Sequence, residues 1–485
     1  MKHLPLAKGF HAESAYRPAS YELLPFRFLP LDAERYVLTN LVGEYVVLGR
    51  AELHALVEHR IDVESSSYRT LISRGFVREP DSSLALELLA ARYRTQREPL
   101  RTFTALHIFV VTLRCDHSCP YCQVSRVTED KQAFDMTKET ADRSIDLVFQ
   151  SPSPYLKIEF QGGEPLLNFG LIQYVVEEAE RRNDGRTVEF VIATNLSPLT
   201  DEMLRFCRDH QVQISTSLDG PEWLHNKNRP KRGNDSHRRT VEGIERVRAA
   251  LGPNGVSALM TTSIGSLKHP KGIIDEYVRL GFRSIFLRWI SPYGFALRST
   301  KTSSYETEQF LDFYKRGLDY VLELNKQGVP FQEEYASIIL RKMLTPWGSG
   351  YADLQSPTSL GLSVLVYNYD GDVYASDEGR MLAEMDDFTF RLGNVHRESY
   401  RDLFLASDWL SMVSDTMSEG LPGCVDCAMQ PYCGTDPVFH HATQGDMVGH
   451  RPTSDFCRRN MEIMRHLIRL MEDEPEARAI LRSWA

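Results

Sequence analysis

Leu113-Arg114-Cys115-Asp116-His117-Ser118-Cys119-Pro120-Tyr121-Cys122 places three cysteines at spacings of four and three, in a chain that holds eight. A thiolate is a soft anionic ligand, and three on one short loop converge on a single soft metal centre. A tetrahedral zinc site or a four-iron cluster takes four protein ligands, so the loop leaves one position vacant. A remote residue in that position makes the site structural or electron-transferring. A substrate there makes it catalytic.

Outward from the loop, the chain alternates two periodicities. Runs at 106–111, 155–160, 187–193, 211–216, 257–262 and 284–288 are predicted to be strands. The segments 137–149, 169–182, 236–250 and 271–280 are predicted to be helices; in 169–182 the apolar Phe169, Ile172, Val176 and Ala179 share one face. Six such units imply an α/β fold, a parallel sheet curled into a partial (β/α)6 barrel with chemistry at the C-terminal strand ends. The second strand runs into Gly162-Gly163-Glu164-Pro165, where paired glycines admit close backbone approach and a carboxylate can accept from an ammonium group. In isolation the same four residues are a turn. Asn195 and Ser217 stand at the tips of the third and fourth strands, suited to ligand contact, although Asn195 also reads as a helix cap. Asp219-Gly220 reads as a turn, and Arg288, ending the sixth strand, reads as a carboxylate partner or a solvated salt bridge.

Cys115, Cys119 and Cys122, with Tyr121 before the last, resemble the signature loop of the radical S-adenosylmethionine enzymes. The resemblance implies a catalytic [4Fe-4S] cluster on the three cysteines, its fourth iron chelated by S-adenosylmethionine, and radical formation by electron transfer into the sulfonium. It further implies cofactor contacts at Tyr121, Gly162, Gly163, Glu164, Pro165, Asn195, Ser217 and Arg288. Cys424, Cys427, Cys433 and Cys457 form a second group, enough to close a zinc or [4Fe-4S] centre. Their context resembles the SPASM domain of peptide-modifying relatives, with departures. Ser376 and Pro437 stand where that domain carries cysteines, so one auxiliary [4Fe-4S] cluster is expected and the other is expected to be lost. The retained cluster reads as an electron relay or a structural staple.

Composition bounds the rest. The 485 residues exceed one hydrophobic core, and 25% charged with 42% apolar residues fits a soluble globular chain. A net charge of −10 argues against nucleic-acid binding, and no long apolar run or signal-peptide core occurs, so a cytoplasmic location without membrane contact is expected. The clustered cysteines argue for metal sites rather than disulfides; Cys207 alone reads as a core residue.

The expected layout is a flexible tail (1–18), a small α+β domain and linker (19–100), the barrel (101–300), a helical connection (301–360), a cysteine-rich domain (361–463) with a hairpin turning at Asp370-Gly371, and a terminal helix (464–485). The α+β domain resembles the winged-helix-like peptide-recognition element of enzymes acting on ribosomally made peptides; a plain packing extension is the competing reading. The whole layout most resembles the radical maturase of the His-Xaa-Ser peptide system. That implies hydrogen abstraction from a ribosomally synthesised precursor peptide, a reductant such as flavodoxin or ferredoxin, and a paired maturase. Two alternatives stay open: oxidation of a residue in a folded partner enzyme, and a non-catalytic iron–sulfur peptide-binding or sensing module.

Overall fold

The computed structural model describes residues 20–124, 130–294 and 305–485; the expected tail at 1–18 lies outside them. The chain divides into two compact units, residues 1–97 with 426–431, and residues 98–425 with 432–485.

In the first unit, strands Phe26–Pro30, Arg35–Asn40 and Tyr45–Gly49 form an antiparallel sheet in that order. β-branched and aromatic residues alternate along them, and Leu38, Val46 and Leu48 pack with Leu53, Leu56, Tyr68 and Leu71 of helices Arg50–Val57 and Ser66–Ser73. A short pairing of Glu22–Leu23 with Val77–Arg78 closes this core. The helix Leu84–Arg97 buries only Leu89.

The second unit is built on an eight-stranded sheet. Its strands are β1 (Leu106–Thr112), β2 (Tyr155–Gly162), β3 (Thr187–Thr194), β4 (Gln213–Ser217), β5 (Val256–Leu259), β6 (Val364–Tyr367), β7 (Asp372–Tyr374) and β8 (Arg391–Asn394). The spatial order is β5-β4-β3-β2-β1-β6-β7-β8, parallel from β5 through β6 and antiparallel thereafter. Helices α1 (Lys138–Val148), α2 (Phe169–Arg182), α3 (Asp201–Asp209), α4 (Glu222–Asn228), α5 (Ser236–Leu251) and α6 (Pro270–Arg279) connect the strands. Thr137 and Thr200 cap α1 and α3 by accepting from Thr140 and Met203 amides, and α2 buries the predicted Phe169, Ile172, Val176 and Ala179.

Two expectations are corrected. The sixth strand predicted at 284–288 is only Ser284–Ile285, paired with Gln332–Glu333 in a separate two-stranded sheet. Glu333, wholly buried, draws this segment away from the main ladder by accepting from Leu287 N–H (3.1 Å). The hairpin assigned to the C-terminal region instead extends the central sheet, because β6 pairs with β1 from Val364↔Leu106 to Tyr367↔Phe109. All four residues of β6 are buried, and an apolar strand of that kind is stable only inside a sheet.

Candidate active site

A cavity of about 850 Å³ lies within the second unit, along the concave face of the sheet. Alternate residues of β2 face it: Lys157, Glu159 and Gln161 line the cavity, while Leu156, Ile158 and Phe160 between them are fully buried. Ala193, Ser215 and Ser217 continue the wall on β3 and β4. Cys115, Cys119 and Cys122 line the same cavity beyond the C-terminal end of β1, each partly accessible.

The cysteine loop is anchored at its root. Arg114 donates bidentately to Asp135 (2.7 Å from both Nε and Nη2) and to the Leu167 carbonyl (2.9 Å). Within the loop, Cys122 N–H donates to the Cys119 carbonyl (3.2 Å), His117 N–H to Cys115 Sγ (3.4 Å), and Ser118 N–H to the Pro230 carbonyl (2.8 Å). Tyr121, nearly buried, donates its hydroxyl to Asp219, which also accepts from Arg229 (3.1 and 3.2 Å) and from Thr261 N–H (3.3 Å). Asp219-Gly220 is therefore more than a turn: its carboxylate holds the aromatic residue of the cysteine loop.

The glycine pair has a steric reason. A Cβ on Gly162 would sit 1.9 Å from the Thr112 carbonyl oxygen, and one on Gly163 would sit 2.2 Å from that of Arg114. The close approach is to the root of the cysteine loop, with Gly163 N–H donating to Thr112 and Glu164 N–H to Arg114. Both glycines line the cavity; Glu164 and Pro165 are buried outside its lining. The Glu164 carboxylate accepts from Thr194 Oγ1 (2.6 Å), Asn195 N–H (2.8 Å) and Leu166 N–H (3.1 Å), and burial pushes its pKa up to about 7. It ties β2 to β3.

Asn195 lines the cavity, but its amide donates to Asp116 Oδ1 (2.9 Å) and its carbonyl accepts from Ser197 N–H (2.8 Å). Arg288 lines the same cavity with Tyr351, Asp353, Asp377 and Glu378. Burial disfavours its charge, and those acidic neighbours outweigh the penalty and raise its pKa. Burial together with Asp353, Asp377 and Asp436 pushes Glu378 upward. Apart from Arg288, these charged residues went unread in the sequence, although Lys157, Glu159 and Gln161 alternating with apolar residues were a legible sign of a polar lumen.

The donor set fits an iron–sulfur cluster. Burial, with Glu164 and Cys119 nearby, holds the Cys115 thiol well above its ordinary pKa, so a thiolate there calls for a metal cation. Ligand atoms of Cys115, Asp116 and His117 also lie within 4.8 Å of one another. The Asp116 carboxylate, however, is already engaged by His117, Asn195 and Lys231 (2.8, 2.9 and 2.8 Å).

Of the second cysteine group, Cys424, Cys433 and Cys457 belong to the second unit. Burial pushes Cys433 up to about 12, reinforced by Cys457 and Cys424. Cys427 lies on the 426–431 segment of the first unit, where Thr39 Oγ1 donates to the Ala428 carbonyl (2.7 Å). Ser376 caps the helix Asp377–Ala383 by accepting from Gly379 N–H (3.0 Å), and Pro437 opens the helix Pro437–Gln444.

Among known proteins, the serine-type anaerobic sulfatase-maturating enzyme of Bacteroides thetaiotaomicron is 27% identical over 158 residues, 32% of this chain and 38% of that enzyme. Three further curated relatives are spanned over only 62%, 44% and 52% of their lengths. The fold is similar to that of native anSMEcpe with bound AdoMet, at a TM-score of 0.64 and 17% identity, covering 78% of this chain and 99% of that one. It is also similar to Streptococcus suis SuiB bound to precursor peptide SuiA, at 0.50 and 12%, covering 84% and 93%. Residues 109–271, from β1 into α6, match the Radical SAM superfamily, and the chain therefore carries a radical SAM domain.

Proposed function

We propose that the protein is a radical S-adenosylmethionine enzyme that modifies a ribosomally synthesised peptide by hydrogen abstraction, leaving an oxidation or a cross-link. The observation that carries this reading is the convergence of three thiols and the Gly162-Gly163 backbone on one cavity with charged lining residues. Cys115, Cys119 and Cys122 would hold a [4Fe-4S] cluster; Gly162 and Gly163, with Ser217 and the remaining valences of Asn195, would hold S-adenosylmethionine. When bound, the pair supplies one-electron cleavage of the sulfonium and hence a hydrogen-abstracting radical.

The chain's own residues do the rest. Tyr121, Asp219 and Arg229 hold the loop against the barrel. Lys157, Glu159, Gln161, Arg288, Asp353, Asp377 and Glu378 line one cavity of about 850 Å³, large enough for a few residues of an extended chain. This lining suits a polar segment, and the carboxyl groups of Asp377 and Glu378 border the same space. The edge strand Phe26–Pro30 in the first unit supports leader-peptide capture by strand addition. The spacing of Cys424, Cys427, Cys433 and Cys457 supports one auxiliary cluster. A redox partner of the flavodoxin or ferredoxin kind would supply the electron. The His-Xaa-Ser peptide system and its paired maturase remain the proposed biological setting.

The deciding experiment is anaerobic reconstitution with iron and sulfide, followed by assay of 5'-deoxyadenosine formation from S-adenosylmethionine. Cleavage that disappears in Cys119→Ala supports the enzyme. Absence of cleavage in the reconstituted parent leaves a non-catalytic binding module. Stimulation by a sulfatase-derived peptide, and by no precursor peptide, would favour maturation of a partner enzyme.

A further inference from the structure

Beneath the cysteine loop, two buried histidines share one serine. Ser236 Oγ, on the first residue of α5, lies 2.8 Å from His117 Nε2 and 3.0 Å from His225 Nε2, and none of the three is more than 3% exposed. A hydroxyl carries one proton, so it can donate to only one of the two rings.

His225 Nδ1 receives the Asp219 backbone N–H (3.3 Å) and must present a lone pair. Burial holds this imidazole neutral, with its pKa pushed down to about 3, so its single proton is on Nε2 and is donated to Ser236. Ser236 Oγ also lies 2.8 Å from His117 Nε2, and His117 Nδ1 lies 2.8 Å from Asp116 Oδ1 and 3.0 Å from Asn195 Nδ2. The result is one connected hydrogen-bond chain from the Asp219 backbone through His225, Ser236 and His117 to Asp116, in which each of the four buried ring nitrogens has a partner. Asp116 also receives Asn195 and Lys231.

We propose that Ser236 and His225 are positioning residues for the cysteine loop, which they set in place before any cluster is present. His117 stands between Cys115 and Cys119, and in this place both of its ring nitrogens have partners. Ser236 is 119 residues away in sequence and belongs to no recognisable motif. The inference rests on the proposed function only for its consequence in the loaded protein. The preorganisation itself belongs to the metal-free chain.

The test is hydrogen exchange on the reduced, metal-free full chain. In the parent, the His117 and Ser118 amides, which donate to Cys115 Sγ and Pro230, should be protected. Ser236→Ala should speed their exchange by about tenfold or more, since it leaves two buried ring nitrogens unpaired, while amides at the centre of α5 are unmoved. Ser236→Thr should restore protection, and His225→Phe should reproduce the loss. After reconstitution, Ser236→Ala should release iron to a chelator several-fold faster and alter the part of the paramagnetic resonance signal that responds to S-adenosylmethionine. Parental loop exchange in both Ser236→Ala and His225→Phe would overturn the proposal, as would uniform loss of protection across the domain. If the parent shows no signal responsive to S-adenosylmethionine, the proposed function fails while the exchange result still decides this inference.

Discussion

Glu333 and Glu164 are both wholly buried carboxyls pushed up to about 7 by burial, and both work by gathering donors. Glu333 accepts from Tyr314 Oη (2.6 Å), Ala336 N–H (2.7 Å) and Leu287 N–H (3.1 Å). Its folded pKa lies above the ordinary 4.5, so the folded state binds the proton more tightly. Its contribution is fully present below pH 4.5 and is lost as pH rises through 7. Urea unfolding between pH 5 and 8 should therefore show up to about 3 kcal/mol of declining stability that Glu333→Gln flattens. In the cavity, Glu378→Gln should lower peptide modification by about tenfold or more while 5'-deoxyadenosine formation persists, because a carboxyl group lining the substrate space acts on the peptide and not on cleavage of the cofactor. Equal loss of both activities would make Glu378 a structural residue.

Among the elements, the turn after β2 and the helix α2 that follows it give opposite answers to the same substitution. Gly162→Ala forces a methyl against the Thr112 carbonyl, at a φ of +140°, and Gly163→Ala meets the Arg114 carbonyl. Each should destabilise the domain by about 3 kcal/mol or more, through overpacking against immovable backbone. At Gly170, in the first turn of α2, an added methyl group would meet nothing within 4 Å. Gly170→Ala should raise stability by about 0.5 to 1 kcal/mol through helix propensity. Thermal unfolding of the three variants separates a conformational glycine from an incidental one, and equal effects at 162 and 170 would sink the steric account.

For the whole molecule, metal content is the quantity that both cysteine groups determine. The reconstituted parent should hold about eight irons per chain, and Cys433→Ala about four, with the signal responsive to S-adenosylmethionine retained in the variant. A parent with about four irons and one zinc would make the C-terminal group a staple and end the electron-relay reading.

Cys115, Cys119, Cys122 and the Gly162–Pro165 turn were legible because local spacing alone restricts what such residues can do. The parallel α/β order was legible for a similar reason: alternating periods of two and 3.6 residues have few packings. Tertiary structure decided what local pattern leaves open. On the side of β1 away from β2 the neighbour is β6, far along the chain, chosen by hydrogen bonding along a buried edge rather than by order in the sequence. Glu164 faces its neighbouring strand because three donors meet there, and Asp219 holds Tyr121 across 98 residues. Ser236 became visible only once the two histidines it joins were side by side. A periodicity reports which face a residue is on, whereas a hydrogen bond between distant segments exists only after folding has brought donor and acceptor together.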